Sequence, residues 1–220
     1  MKRLVLLVLF TTAFTFLSPA QHDIGVKLNA GVSTIISKFD FDFLTQEFYF
    51  EFSWQTGVYY NYHLADHSIL GIELLLSKIA GSSKEDFEVL ASYGWLNYTI
   101  YLDRKISYLC LPLYYGFKTD KLITRLGLQS GYVLKSYEAA RFDIPSNMIV
   151  LYEDPGKLDI KEFDYGLIIG FFYSISNRIQ LEATYYHGLK NIYSGETSES
   201  NWRIQQFTAG LRYSIFREEN

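Results

Sequence analysis

The stretch Asn177–Leu189, NRIQLEATYYHGL, places Ile179, Leu181, Ala183 and Tyr185 on one face and Gln180, Glu182, Thr184 and Tyr186 on the other. Such a strand lies in a sheet with one oily and one wet side, and the fold turns on which side looks outward. A soluble barrel or sandwich buries the apolar face. A membrane barrel turns it to lipid and keeps the polar face for its lumen.

The same period recurs along the chain. Strands are expected at about 24–36, 50–63, 68–80, 105–118, 121–135, 161–176, 178–190 and 202–216. After residue 20 no apolar run is long enough for a membrane helix. The connections HLADHS, KTDK and SISNR are short, whereas those spanning Ser37 to Tyr49, Gly81 to Arg104, Ser136 to Ile160 and Asn191 to Asn201 are long. Short and long alternate, as in an outer-membrane barrel with brief periplasmic turns and extended outer loops. The fold class expected is all-β, an eight-stranded antiparallel up-and-down transmembrane β-barrel.

The faces support this choice. If Leu126, Leu128, Tyr132 and Leu134 point outward, Arg125, Gly127, Gln129 and Gly131 point inward. The inward set then includes Lys27 and Asn29, Gln55 and Asn61, Glu73, Asp164 and Gly170, Glu182 and Thr184, and Gln206, Thr208 and Arg212. A soluble barrel would bury these charges in its only core, at several kcal/mol for each badly paired ion. In a narrow lumen, Lys27, Arg125 and Arg212 are instead expected to pair with Glu73, Asp164 and Glu182, with small residues making room. A plugged, polar lumen follows. Outward aromatics fall in two groups: Tyr60, Tyr62, Tyr115, Phe117, Phe171, Tyr173, Tyr213 and Phe216 toward the turns, and Phe52, Trp54, Tyr132, Phe163, Tyr165 and Tyr185 toward the loops. These are the girdles of a membrane barrel.

Residues 1–20 read as a signal peptide: Lys2 and Arg3, an apolar run from Leu4 to Leu17, then Ser18-Pro19-Ala20. The barrel domain is expected to occupy 21–220, in the cell outer membrane. The net charge of −4 offers no basic footprint for nucleic acid. Cys110 is the only cysteine, so no intrachain disulfide forms, and a small apolar filler is its expected role.

The ordered set GVKLNAGVST, SILGIELLLSKIAG, ISYLCLPLYYGFK, TRLGLQSGYVL, FDYGLIIGFFYSISNRIQLEATYYHGLKNI and FTAGLRYSIF resembles the PorT-like outer-membrane β-barrel family across nearly all of 21–220. The resemblance implies an eight-stranded barrel in a family whose members mostly lack an assigned activity. The member that names the family is implicated in protein export across the outer membrane. One departure is the tail: barrels of this kind commonly end on an aromatic residue, whereas Phe216 is followed by Arg217-Glu218-Glu219-Asn220. Tyr213 and Phe216 would then serve the barrel-insertion machinery.

Candidate chemistry is sparse. His187, near the outer end of its strand, is followed by Ser194 and Glu196, but sequence proximity does not make a triad. An interfacial His beside the Tyr girdle is the expected role. His63, Asp66 and His67 flank a turn without the spacing of a metal motif. Glu153–Glu162, EDPGKLDIKE, does not match a calcium loop. No catalytic residue, metal or cofactor is therefore expected. FDFDFLTQEFYFEF, Phe39–Phe52, and SYGWLNYTIYLD, Ser92–Asp103, are candidates to extend hairpins above the membrane, where an exposed edge invites a partner. The function expected is a non-enzymatic barrel in contact with outer-membrane lipid, acting in envelope structure or binding a protein partner through its extracellular loops. A surface enzyme on lipid or peptide centred near His187 and a small-solute channel are the alternatives.

Overall fold

The computed structural model describes residues 22–38, 44–91, 94–144, 148–156, 158, 160–194 and 201–217. The expected signal segment, 1–20, lies outside them. Nine strands follow in order: β1 His22–Lys38, β2 Leu44–Ala65, β3 Ser68–Ala91, β4 Gly94–Thr119, β5 Leu122–Ile144, β6 Met148–Gly156, β7 Phe163–Ser174, β8 Ile179–Gly188 and β9 Asn201–Arg217. Eight of them are staves of one antiparallel ring. Each stave pairs with the next, β5 pairs with β7, and β9 closes on β1 from Asp23↔Arg217 to Lys38↔Asn201. Closure leaves the barrel proper without an edge.

The short connections are turns, as their lengths imply. Asp66-His67 joins β2 to β3, and Asp120-Lys121 joins β4 to β5, with Asp120 in the left-handed region at φ 48° that Asp tolerates. Between β7 and β8 the Ser176 hydroxyl accepts the backbone N–H groups of Arg178 and Ile179 at 3.3 and 3.1 Å.

Burial decides the question of faces. Leu28 and Leu126 are 64% and 61% exposed, while Arg125 and Arg212 are 1% and 0% exposed. Along β7 exposed and buried residues alternate without a break through Phe172. Oily outside and ionic inside is the inverse of a soluble core, and the described girdle aromatics all face out.

Two expectations are corrected. Three of the four stretches read as long outer loops are largely strand, in keeping with Phe39–Phe52 and Ser92–Asp103 as hairpin extensions: β2 begins at Leu44, β3 runs to Ala91, β4 starts at Gly94, and β5 continues to Ile144 before β6 pairs back on it. A bulge in β2 between Phe50 and Trp54 shifts the register there. Above the membrane neither face meets lipid, so the apolar–polar contrast that marks a strand fades while the backbone ladder continues. Second, polar and small residues do not fill the lumen alone. Ile35, Ile69, Leu75, Ile79, Ile106, Tyr108, Tyr114, Ile123, Ile168, Phe172, Tyr186 and Ile204 are buried as well. An eight-stranded interior is only wide enough for side chains, and large ones occupy the volume around the charges.

Candidate functional site

At mid-height the strand register collects ionic residues from five staves. Lys27 on β1 pairs with Arg212 on β9, Glu182 on β8 pairs with Gly210, Glu73 on β3 faces Tyr59 on β2, and Arg125 on β5 faces Gly170 on β7. Lys27 Nζ donates to Glu73 Oε2 at 2.9 Å and to Glu182 Oε1 at 2.5 Å. Arg125 donates to Glu73 Oε1 at 2.6 Å, Glu182 Oε1 at 2.5 Å and Thr184 Oγ1 at 2.5 Å. Arg212 donates to Glu73 Oε1 at 2.9 Å and to the Tyr114 hydroxyl at 3.1 Å. A Cβ on Gly170 would come within 2.9 Å of Arg125 Nε, so the absence of a side chain there admits the guanidinium.

Three cations face two carboxylates, and aromatic rings meet the excess positive charge. The Phe172 ring lies between the two guanidiniums, 4.6 Å from Arg125 and 4.1 Å from Arg212, and Tyr59 flanks Arg212 at 3.8 Å. Ring faces are negative and attract desolvated cations. The cluster ties non-adjacent staves together across the lumen, with the side chains of Lys27, Glu73, Glu182 and Arg212 fully buried.

Asp164, expected among these pairs, is not part of the cluster. It accepts a hydrogen bond from the Tyr186 hydroxyl at 2.7 Å. Alternation identifies its face correctly, but the register sets it opposite Gly131, six residues along β5 from Arg125, which is about 20 Å at ~3.3 Å per residue. No cationic side chain of the cluster reaches that far.

Hydrogen bonds join staves inside the lumen at other levels too. Near the turn end Asp23 accepts from Ser214 at 2.5 Å and Asn61 at 3.3 Å. Above the cluster Gln55 donates to Gln206 at 2.7 Å. At the outer end the described parts of the two upper connections meet as a strap. Lys161 N–H donates to the Ile192 carbonyl at 2.7 Å, Ile192 N–H to the Trp202 carbonyl at 3.0 Å, and Ile160 bridges Tyr193. Beneath it Leu158, Ile192 and Trp202 pack in the buried cluster with Ile35, Ile79, Ile106 and Ile204. Arg104 stacks over Trp202 at 4.2 Å and pairs with Glu138 at 3.1 Å. Reading the sequence missed this strap. Its only signal is isolated apolar residues, Leu158, Ile160 and Ile192, in otherwise polar segments.

The remaining candidates are dispersed. His187 faces outward from β8 with Nδ1 3.4 Å from the Tyr185 hydroxyl and the two rings stacked at 6.3 Å. Ser194 is exposed beyond the strap, and Glu196 lies outside the described residues. The His67 ring packs at 6.3 Å against Phe117, beside the turn that carries Asp66. Among the described residues no three His, Cys, Asp or Glu side chains are grouped to hold a metal ion. Cys110 is a buried free thiol.

A closed ring of eight staves, apolar outside and ionic within, defines a transmembrane β-barrel. The chain belongs to the outer membrane protein beta-barrel domain family, whose model matches residues 18–194, and its location is the outer membrane. No curated protein matches the chain. Among solved structures it is similar to the Neisserial surface protein A, at 12% identity and TM-score 0.40 over 87% of this chain and 97% of that one. OprG from Pseudomonas aeruginosa aligns at 13% identity and TM-score 0.43 over 89% and 96%. The outer membrane protease OmpT from Escherichia coli aligns at 11% identity and TM-score 0.36 over 89% and 96%.

Proposed function

We propose that the protein is a non-enzymatic, non-conducting barrel that holds a partner protein at the cell surface through the wall of strands raised above the membrane. One observation carries this reading. A tilted strand crosses hydrocarbon in ~9–11 residues, yet β3 and β4 have 24 and 26. The surplus of β2, β3, β4 and β5, with β6 added, is a sheet standing outside the membrane. From Leu44 to Phe50, β2 pairs with β3 alone among the described pairings. Among the described residues the other edge of that stretch has no backbone partner, and it lies beside exposed Tyr49, Phe50 and Phe52. An extended segment of a partner adding to that edge would gain ladder hydrogen bonds and apolar contact together.

The ion-paired lumen and the strap at its outer end support the non-conducting part, and the dispersal of His187, Ser194 and the lumen carboxylates supports the non-enzymatic part. The resemblance to PorT-like barrels supports a partner drawn from protein export. The test is photo-crosslinking in intact cells from probes at Glu47 and Phe50 on the wall and at Asp120 in the opposite turn. A discrete adduct from the wall positions, absent from Asp120 and retained in His187→Ala, is expected. Adducts of equal yield from all three positions, or loss of the wall adduct in His187→Ala with the barrel intact, would overturn the reading.

A further inference from the structure

The outward side chains of β8, β9 and β1 stand in rows. Leu181, Leu211 and Leu28 form one, Ala183, Ala209 and Ala30 the next, and Tyr185, Phe207 and Val32 a third. From Ile24 to Val32 is about nine residues of β1, the length a tilted strand needs to cross the hydrocarbon, so the third row is the outer girdle. The next positions are polar. His187 pairs with Gln205, Arg203 follows opposite Ile36, and Asn201 follows that. Ile36, His187, Asn201, Arg203 and Gln205 together line a cavity of 270 Å³ on the outer wall.

We propose that this cavity seats the phosphate of an outer-leaflet lipid. Arg203 is exposed, and among the described residues its Nε bonds Asn201 Oδ1 at 3.4 Å and no carboxylate is within ion-pair distance. A guanidinium presents a planar fork that binds phosphate through two parallel N–H bonds. The amide groups of Gln205 and Asn201 supply further donors, and the stack on Tyr185 orients the His187 ring. Phosphate groups of lipids lie at the level where the apolar girdle gives way to polar side chains, which is the level of this cavity. One outward position below the lining pair His187 and Gln205 stands the apolar row Tyr185, Phe207 and Val32, at the level of acyl chains, and that adjacency selects a lipid over a free anion.

The experiment is native mass spectrometry of the full barrel in dodecyl maltoside, titrated with bisphosphorylated lipid A and with the same lipid dephosphorylated. Wild type and Arg178→Gln, altered at the opposite turn, are expected to retain one phosphorylated lipid. Arg203→Gln is expected to bind it at least about tenfold more weakly, the loss of a charge-assisted pair, and His187→Ala to weaken it to a smaller degree. Both variants should keep the compact unboiled gel band of a folded barrel. Equal binding by Arg203→Gln, equal retention of the dephosphorylated lipid, or inorganic phosphate binding as tightly as the lipid would each overturn the proposal.

Discussion

Arg125 Nη1 meets Glu73 Oε1 at 2.6 Å, a contact that crosses the lumen between β5 and β3 with β4 intervening. Pairing across the interior, rather than along one hairpin, makes the barrel's cross-section depend on ions from staves distant in sequence. Removing one partner leaves the others buried and uncompensated.

Glu73→Gln is therefore expected to destabilise the folded barrel by roughly 3–5 kcal/mol, because Lys27, Arg125 and Arg212 would then share one carboxylate. The double variant Glu73→Gln/Arg125→Gln removes one charge of each sign and should cost less than the sum of its single variants. Urea titration of the unboiled gel band measures both, and strict additivity would show that the two residues do not act together.

Gly170→Val places a branched side chain within reach of Arg125 Nε and of the Ala183 carbonyl oxygen, 2.8 Å from the Cβ position. The expected cost is about 1–3 kcal/mol, as for other overpacked interiors. Combining it with Arg125→Ala should recover part of that loss in the same urea assay, since the displaced group is then gone.

Glu85 stands on the part of β3 that rises above the membrane, with Gln46 donating to it at 3.0 Å and the Arg104 guanidinium paired with it at 3.9 Å. Burial pushes its carboxyl above the ordinary 4.5, against the opposing pull of Arg104, Gln46 and Ser83, while the Glu138 charge adds to the rise. The folded wall therefore holds this proton more tightly than the unfolded chain does. Acidification from above the raised value toward 4.5 stabilises the wall, and raising the pH removes that gain. Asp86, which Lys84 and Thr99 hold below its ordinary value, works in the opposite sense, so hydrogen-exchange protection of β3 from 83 to 87, corrected for intrinsic rates, should fall on acidification in Glu85→Gln and fall less, or rise, in wild type.

Planar-bilayer recordings of the purified barrel should show no steady, large conductance steps. Trp202→Ala, which removes the ring under Arg104, loosens the strap alone and should leave the barrel silent, because the ionic belt below still spans the lumen. Large steady steps from wild type would contradict a plugged interior.

How much of this was legible in the chain can be followed residue by residue. Alternation placed Lys27, Glu73, Arg125, Asp164, Glu182 and Arg212 on one face, because a strand's side chains have a period of two and the lipid tolerates no charge on the other. It said nothing of height. Height depends on register between staves, and register brought five of the six together while leaving Asp164 with Tyr186 instead. His187 was legible as a girdle residue, but its cavity was not, since Ile36 and Arg203 reach it from strands far apart in sequence.

By itself the sequence determined the eight-stave plan, the inverted faces and the two girdles, all consequences of a local period read against one solvent boundary. Only the tertiary structure decided the rest. Above the membrane the contrast between lipid and lumen vanishes, so Phe39–Phe52 and Ser92–Asp103 announce only part of the long reach of β2 to β5, and the rest, with the hairpin partner β6, depends on backbone pairing. The strap at the outer end brings Ile160 to Tyr193 and Ile192 to Trp202. The ionic belt likewise depends on five strands meeting at one level. The belt's staves become neighbours across the lumen only when the ring closes, and the strap's segments only when β7, β8 and β9 pair in register.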